Sequence, residues 1–408
     1  LGYEWISKAA AQGLANSQHM MGVGLSMAGS PLQRDIPRGL DYYKAAAAQN
    51  YLPALTQIGA YYADVEAEYG KAGEYFKKAS DLGDAEAMWR LSYGYKNGYG
   101  GRPDLVKAFE LLKGSAEKGF SPAFHDLAVA YMQSSGVNQD YNEAILWLKK
   151  SVKEANDPRA MESLAQMQLE QRSVFATRVQ NLDSIESGLE LRQKAAELGD
   201  SEAQWNLFIQ YYNGAHVPAN KKISLKWLKA SAKGGNLDAQ FALGKQYLNG
   251  WDVPKDEKKA IALYESAANG GHSKATIALG SAYASGVGVK SNSTMALEWL
   301  NKANEKDAGL MIGLVYMMGG DGVPQDRELA EESFRKSEDA EAKVMLTYLY
   351  LLEDYGTVDI NRGLSLVQEV QADLEGQNLG TVQVVMALAY IKAENWSQAT
   401  PWLTKASQ

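Results

Sequence analysis

Apolar residues recur along the chain with helical spacing, in short segments that come in pairs. In residues 239–271 the first stripe contains Ala239, Leu243 and Tyr247, which lie four residues apart and therefore share one helical face. An Asn-Gly pair follows, which is typical of a helix end because glycine accepts the left-handed conformation of a C-terminal cap. The second stripe consists of Ala260, Leu263, Tyr264 and Ala267. The pattern predicts two helices folded back on each other.

The same unit recurs along the chain at intervals of 33 to 43 residues. Its anchor, a small or apolar residue, is found at Ser17, Ala54, Ala87, Ala123, Ala160, Ala203, Ala239, Ala275, Ala308, Ala342 and Val384. Five places after the anchor stands a residue that is small in most copies, such as Gly244 and Gly280. A glycine inside a helix costs about 1 kcal/mol relative to alanine, so these glycines indicate close approach of a neighbouring helix. A period of this length predicts a solenoid, in which neighbouring pairs stack and share one core.

Two copies carry a recognisable motif. They read "AQFALGKQYLNGWDVPKDEKKAIALYESAANGG" (239–271) and "ATIALGSAYASGVGVKSNSTMALEWLNKA" (275–303). The Ala-x-x-x-Leu-Gly step, the Gly-Val loop and the Lys-Ala or Met-Ala step resemble the Sel1-like repeats, a branch of the tetratricopeptide superfamily. This resemblance implies an all-α fold, a right-handed α-solenoid of stacked antiparallel helix pairs.

The repeat also predicts how the chain is divided. Residues 1–14 read as the second helix of an incomplete repeat, and residues 15–337 as the Sel1-like array with an irregular insertion near 169–191. Residues 338–408 are predicted to be degenerate, tetratricopeptide-like repeats of the same solenoid. Because the sequence opens inside a repeat, we expect a fragment or mature form, in which any N-terminal signal or lipid anchor is no longer visible.

Composition and charge predict neither a catalytic centre nor a nucleic-acid track. The 408 residues include 41 basic and 49 acidic ones, and the lysines are scattered near the ends of second helices, where they complement the helix dipole. No apolar run approaches the roughly 18 residues of a membrane span. There is no cysteine, and the four histidines show no zinc-type spacing. We therefore expect a non-enzyme without metal or cofactor.

The residues that the core does not require are the candidates for binding. In tetratricopeptide-type arrays the first helices line the concave face, and this implies a partner site at Trp89, Tyr93, Lys96, His125, Trp205, Tyr212, Phe241 and Lys245. Tryptophan and tyrosine dominate interface hot spots, although Trp89 and Trp205 equally fit a packing role between helices. Trp147, Trp227 and Trp299 are predicted to pack in the core, whereas Trp251 lies in a loop and is expected to be exposed.

The resulting hypothesis is a non-catalytic scaffold or adaptor that binds a protein partner through the solenoid groove. The resemblance implies a bacterial envelope protein, periplasmic or secreted, with a cytoplasmic location left open. Three alternatives remain: an immunity protein that neutralises a secreted toxin, an enzyme acting on cell-wall material, and a eukaryotic secretory-pathway adaptor. An enzyme would need paired carboxylates or a nucleophile and base in one pocket, and the sequence assigns none.

Overall fold

The computed structural model describes residues 2–27, 29–99, 101–169, 185–337, 339–351, 358–374 and 380–406. Within these residues the chain forms helices and no strand, apart from an isolated bridge between Gly320 and Val323. Two compact units, residues 1–203 and 204–408, are described separately. The helices of the first unit are α1 Gly2–Ala11, α2 Ala15–Ser26, α3 Ile36–Ala47, α4 Leu52–Asp64, α5 Tyr69–Asp81, α6 Ala85–Asn97, α7 Leu105–Glu117, α8 Pro122–Gln133, α9 Tyr141–Ala155, α10 Pro158–Leu169 and α11 Ile185–Glu197. Helix α12, Ser201–Asn213, spans the boundary.

The second unit continues the alternation of first and second helices. Its helices are α13 Lys221–Lys233, α14 Leu237–Asn249, α15 Glu257–Asn269, α16 Ser273–Ser285, α17 Ser293–Leu300, α18 Glu305–Met318, α19 Arg327–Lys336, α20 Ala340–Leu351, α21 Ile360–Leu374, α22 Gly380–Lys392 and α23 Trp396–Ala406. Within each unit, helices that follow each other in sequence pack together, as α6 does on α7 and α14 on α15. The expected all-α solenoid of packed helix pairs is confirmed.

Polar caps fix where the second helices begin. At most of these starts an Asp or Asn side chain accepts a hydrogen bond from a backbone N–H of the first turn, as at Asp35, Asp104, Asp140, Asn220, Asp256, Asn292 and Asp326. Helix α5, which follows Glu68, has no such side-chain cap. A cap of this kind stabilises a helix by about 1 kcal/mol. Because the cap recurs in copy after copy, the register of each capped second helix is fixed locally, before any partner helix is considered.

The small position of the first helix allows the second helix to approach closely. A Cβ added to Gly244 would lie 2.5 Å from the Tyr264 ring, and one added to Gly280 would lie 2.6 Å from Leu300 Cγ. Tyr264 and Leu300 are themselves buried. The close approach expected at both glycines is confirmed, since no side chain fits between these helices.

The second-helix tryptophans pack as predicted. Trp227 and Trp299 are buried, and Trp147 is half-buried against Phe124, with 5.7 Å between ring centroids. Lysines near the helix ends lie over several of these rings: Lys150 Nζ is 4.8 Å from Trp147 and Lys302 Nζ 3.7 Å from Trp299. Such cation–π contacts tie these lysines to their own helix, a local structural role for part of the basic charge.

A buried ion pair joins α10 to α11. Arg192 donates two hydrogen bonds to Glu162, from Nε at 3.0 Å and from a terminal nitrogen at 2.7 Å, and both side chains are almost fully buried. Sequence spacing gave no sign of this pair, because the two residues are 30 positions apart. Most of the predicted insertion near 169–191 lies outside the described residues, and its last residues belong to α11.

Replacing Gly244 or Gly280 with leucine should lower the free energy of unfolding by about 1–3 kcal/mol, because the added side chain meets a buried one. Gly114→Ala is the matched control: its Cβ would meet only Met88 Sδ, at an ordinary 3.6 Å, and should raise stability by up to about 1 kcal/mol. Chemical denaturation measures all three. Unchanged stability of both leucine variants would contradict the close packing.

Removing one member of the buried pair should be costly. Arg192→Met leaves the Glu162 carboxylate buried without this guanidinium, and we expect a loss of about 3–5 kcal/mol in unfolding free energy. The double variant Glu162→Met/Arg192→Met should recover most of that loss, since no charge is then left behind. An Arg192→Met variant as stable as the parent would show that the pair is not buried in solution.

Candidate protein-binding surface

In the first unit, the Asp126 carboxylate joins side chains from three successive first helices. Trp89 and Tyr93 on α6 reach across to it: Trp89 Nε1 donates to Asp126 Oδ2 at 2.7 Å, and the Tyr93 hydroxyl donates to the same oxygen at 3.1 Å. From α10, a terminal nitrogen of Arg159 lies 3.7 Å from Asp126 Oδ1. We call these four residues the Asp126 cluster. Its contacts fix the relative positions of α6, α8 and α10 at this face.

In the Asp126 cluster the central carboxylate is largely buried, whereas the outer side chains are accessible to solvent. The Asp126 side chain is only 16% exposed, whereas Tyr93 is 40% exposed and the Arg159 side chain 48%. Arg159 is held in place by Asp157, to which it donates at 3.1 Å. Lys96, one turn beyond Tyr93, is exposed beside the cluster. The face therefore offers an aromatic ring and cationic side chains in a fixed arrangement.

Burial and charge act in opposite directions on the Asp126 carboxyl. Burial alone would raise the pKa of Asp126, but the contact with His125, the hydrogen bond from Trp89 and the charge of Arg159 outweigh it and hold that pKa below its ordinary value. Burial first, and then the Asp126 charge, raise the pKa of Tyr93 to about 12. At neutral pH the cluster consists of a carboxylate that accepts hydrogen bonds from neutral Trp89 and Tyr93.

His125, a predicted binding residue, is largely buried and points toward α10. Its Nε2 lies 3.1 Å from Ser163 Oγ, and its Nδ1 is 3.6 Å from Asp126 Oδ1, which is longer than a hydrogen bond. The order Ser163, His125, Asp126 resembles a catalytic triad in composition. Ser163 lies inside α10, however, where backbone N–H groups are used by the helix and cannot form an oxyanion hole.

The other predicted residues lie in or beside the second unit and form separate groups. Three rings follow one another along α12, with 5.1 Å between the centroids of Trp205 and Phe208 and 5.6 Å between those of Phe208 and Tyr212. Tyr212 is exposed, whereas Trp205 is half-buried. These contacts give Trp205 a packing role and leave Tyr212 as the accessible member.

Phe241 is also largely a packing residue. Its ring lies 4.9 Å from that of His272 and 5.6 Å from that of Tyr264, so it fills space between helices. Lys245 is exposed on the same helix, with its Nζ 5.8 Å from the Phe241 ring. Trp251 is exposed in its loop, as expected. A binding role for the predicted residues in either unit stays a prediction.

Sequence reasoning missed the residue that organises the first group. The sequence pattern singled out neither Asp126 nor Arg159. A signal was present: Asp126 follows its anchor, Ala123, by three places, where the next three copies have Ser163, Asn206 and Ala242. A carboxylate at a position that is neutral in these three copies, and basic (Arg90) in the preceding one, would have been a reason to look for its partners.

Neither a metal-binding group of side chains nor a membrane-spanning helix is found in the described part of the chain. There, no three His, Asp or Glu side chains come together in a way that could hold a metal ion. No helix among these residues is long and apolar enough to cross a bilayer.

Stacked antiparallel helix pairs place the chain among the helical repeat proteins of the tetratricopeptide type. Its sequence matches the Sel1 repeat in ten segments, residues 1–14, 15–51, 53–84, 85–120, 122–156, 158–200, 201–236, 237–272, 273–307 and 309–339. The chain therefore belongs to the Sel1 repeat family, whose members are generally protein-interaction scaffolds.

Comparison with a solved structure supports the fold. A protective antigen of uropathogenic Escherichia coli superposes with a TM-score of 0.52 at 23% identity, covering 98% of this chain and 93% of that one. The match to an immunity protein from Pseudomonas aeruginosa, Pa5087, covers 53% of this chain and 81% of that protein at 22% identity. Its TM-score of 0.39 is too low to support a structural conclusion. The uncharacterized protein NMB1327 of Neisseria meningitidis is 30% identical over 95 residues, 23% of this chain; the match spans about a fifth of that relative.

Titration of the Asp126 cluster should show a depressed midpoint. Because the folded-state pKa of Asp126 is lowered, its carboxylate stabilises the fold above the ordinary value of about 3.9, and this contribution is lost as pH falls through the folded-state pKa. The indole N–H resonance of Trp89, assigned with Trp89→Phe, should therefore shift with a midpoint below about 3.9. Asp126→Asn should abolish the shift. A midpoint at or above the ordinary value would contradict the described contacts.

Proposed function

We propose that this chain is a non-catalytic scaffold that binds a protein partner, and that the Asp126 cluster with Lys96 forms part of its contact surface. The observation that carries the proposal is the arrangement at Asp126. There, the largely buried carboxylate on α8 holds Trp89 and exposed Tyr93 on α6 and lies beside exposed Arg159 on α10. Tyrosine, tryptophan and arginine are the residue types that dominate interface hot spots.

Pre-organisation supports binding over simple packing. A side chain that is fixed before the partner arrives loses less conformational freedom on association, and this raises affinity. Tyr93 has its hydroxyl held by Asp126, and Arg159 has its guanidinium held by Asp157, yet much of each side chain faces solvent. Packing alone would not require the outer halves of these side chains to remain accessible.

The chemistry of the surface does not favour an enzyme. The pKa of Asp126 is lowered and that of Tyr93 raised to about 12, so neither is poised to exchange a proton near neutral pH. Ser163, the hydroxyl that His125 contacts, lies within a helix. The arrangement is suited to hydrogen bonding and ion pairing with a partner.

Crosslinking from this surface should capture the partner. A benzoylphenylalanine placed at Lys96, which is exposed beside the cluster, should crosslink a discrete protein in the native source. The same group at Leu146, which is 61% exposed on the second helix α9, is the matched control and should not. Equal capture at both positions, or none at position 96, would overturn the proposal.

Affinity for the captured partner then tests the cluster itself. Tyr93→Ala and Arg159→Ala should each weaken binding by about 1–3 kcal/mol, because each removes an exposed anchor. Leu146→Ala should bind as the parent does. Isothermal titration with the purified partner measures the difference, and circular dichroism confirms that the variants remain folded.

A further inference from the structure

A groove of about 920 Å³ opens between α5 and α6 in the first unit, beside the loop that follows α6. Phe76 and Leu91, both buried, contribute to its apolar lining, and Trp89 and Tyr93 line it as well. Volumes up to about 1,000 Å³ are typical of ligand sites in proteins. The groove is therefore large enough to receive side chains of another molecule.

At three positions that line the groove, neither the backbone conformation nor a close neighbour requires glycine. Gly73 on α5, Gly94 on α6 and Gly101 in the loop all have ordinary φ values, and a Cβ added to any of them would meet nothing within 4 Å. Gly244 and Gly280, by contrast, lie against a neighbouring side chain. Within a helix such glycines only lower stability, so what they provide is open space.

Gly73 lies in the copy of residues 53–84, and Gly94 and Gly101 lie in the next copy, residues 85–120. At the position of Gly73, three places before the second-helix residue that packs on the small position, six other copies have the buried or half-buried residues Leu40, Phe109, Ile145, Leu225, Ile261 and Leu297. At the position of Gly94, two places after the small position, six other copies have the buried residues Ala130, Met167, Gln210, Gln246, Ala282 and Val315, whereas the first copy has Gly24. At the position of Gly101, three places before the cap, five other copies have the buried or half-buried residues Val137, Val217, Val253, Val289 and Val323.

The groove is thus the space that an isoleucine or leucine and a valine fill elsewhere in the array. Its rim includes Tyr69 and Tyr99, both exposed, whose rings stack with 4.2 Å between centroids. Arg102 and Glu74 also line it, one charge of each sign. Two further basic residues of the lining are paired: Lys77 with Asp81, and Arg90 with Glu86 and Asp64. The charges therefore favour neither an acidic nor a basic occupant, and the apolar lining favours an apolar side chain.

We propose that this groove receives a bulky aliphatic or aromatic side chain from an extended segment of a protein partner, which replaces the side chains missing at Gly73 and Gly101. The occupant is a protein because the groove shares Trp89 and Tyr93 with the Asp126 cluster, so this inference rests on the proposed function. The stacked tyrosines supply a flat apolar platform beside the hollow.

Restoring the residues of the other copies tests the proposal. Gly73→Leu and Gly101→Val should fill the groove from within, and should leave the unfolding midpoint equal to or above that of the parent. The probe is a phage-displayed library of random dodecapeptides selected on the immobilised parent chain. Selected peptides should share a Leu, Ile, Phe or Trp, and should bind each filled variant at least about tenfold more weakly. Gly114→Ala, outside the groove, should bind them as the parent does.

The possible outcomes separate this inference from the proposed function. Peptides that bind the filled variants as tightly as the parent, but bind Arg159→Ala weakly, would overturn the groove while supporting the Asp126 surface. A library that yields no peptide, or peptides without a shared apolar residue, would also overturn the groove. A lack of crosslinking at position 96 would overturn the proposed function, whereas the groove is judged by the peptide measurements. Should Gly73→Leu lower the midpoint, Gly101→Val, in an exposed loop, still decides the result.

Discussion

The contact between the small position of a first helix and the large residue facing it is the constraint on which the rest of each unit depends. At Gly244 the Tyr264 ring already occupies the place of a Cβ, and at Gly313 the Phe334 ring does the same. A helix pair held this closely buries the ring but leaves its outer faces uncovered, and these faces become core only when the next pair stacks on them. The caps and loops serve this contact, because they fix where the second helix begins and hence which residue meets the glycine.

Periodicity explains why the fold was predictable from the sequence. Most copies repeat the same local signals, so a weak signal in one copy can be interpreted from the others. Spacing alone predicted a helix through Ala239, Leu243 and Tyr247, and that helix is present. The buried pair of Glu162 and Arg192 was not predictable, since it occurs once, joins residues 30 positions apart and follows no repeat position.

The binding surface was predictable only in outline, for a related reason. Position in the repeat identified Trp89 and Tyr93 as groove-facing residues but gave no information on what holds them. That depends on Asp126, whose hydrogen bonds to α6 bridge 37 and 33 positions of sequence. Repeat position likewise treated Phe241 and Trp205 as equivalent to Trp89. All three rings pack on neighbouring aromatic side chains, and Trp89 in addition donates a hydrogen bond to Asp126. Side chains at equivalent repeat positions point to the same face of their repeat. Whether such a side chain is available for binding depends on the residues around it.

In a repeat array, departures from the pattern are where a specific function can arise, because the shared pattern already accounts for the fold. Asp126 places a charge where the next copies are neutral, and Gly73 and Gly101 leave space where other copies have side chains. These departures surround the same two residues: Trp89 and Tyr93 donate hydrogen bonds to Asp126 on one side and line the groove on the other. A partner that fills the groove would therefore touch side chains that the carboxylate has already fixed. The added charge and the missing side chains act together: the first orients the anchors, and the second makes room for what they hold.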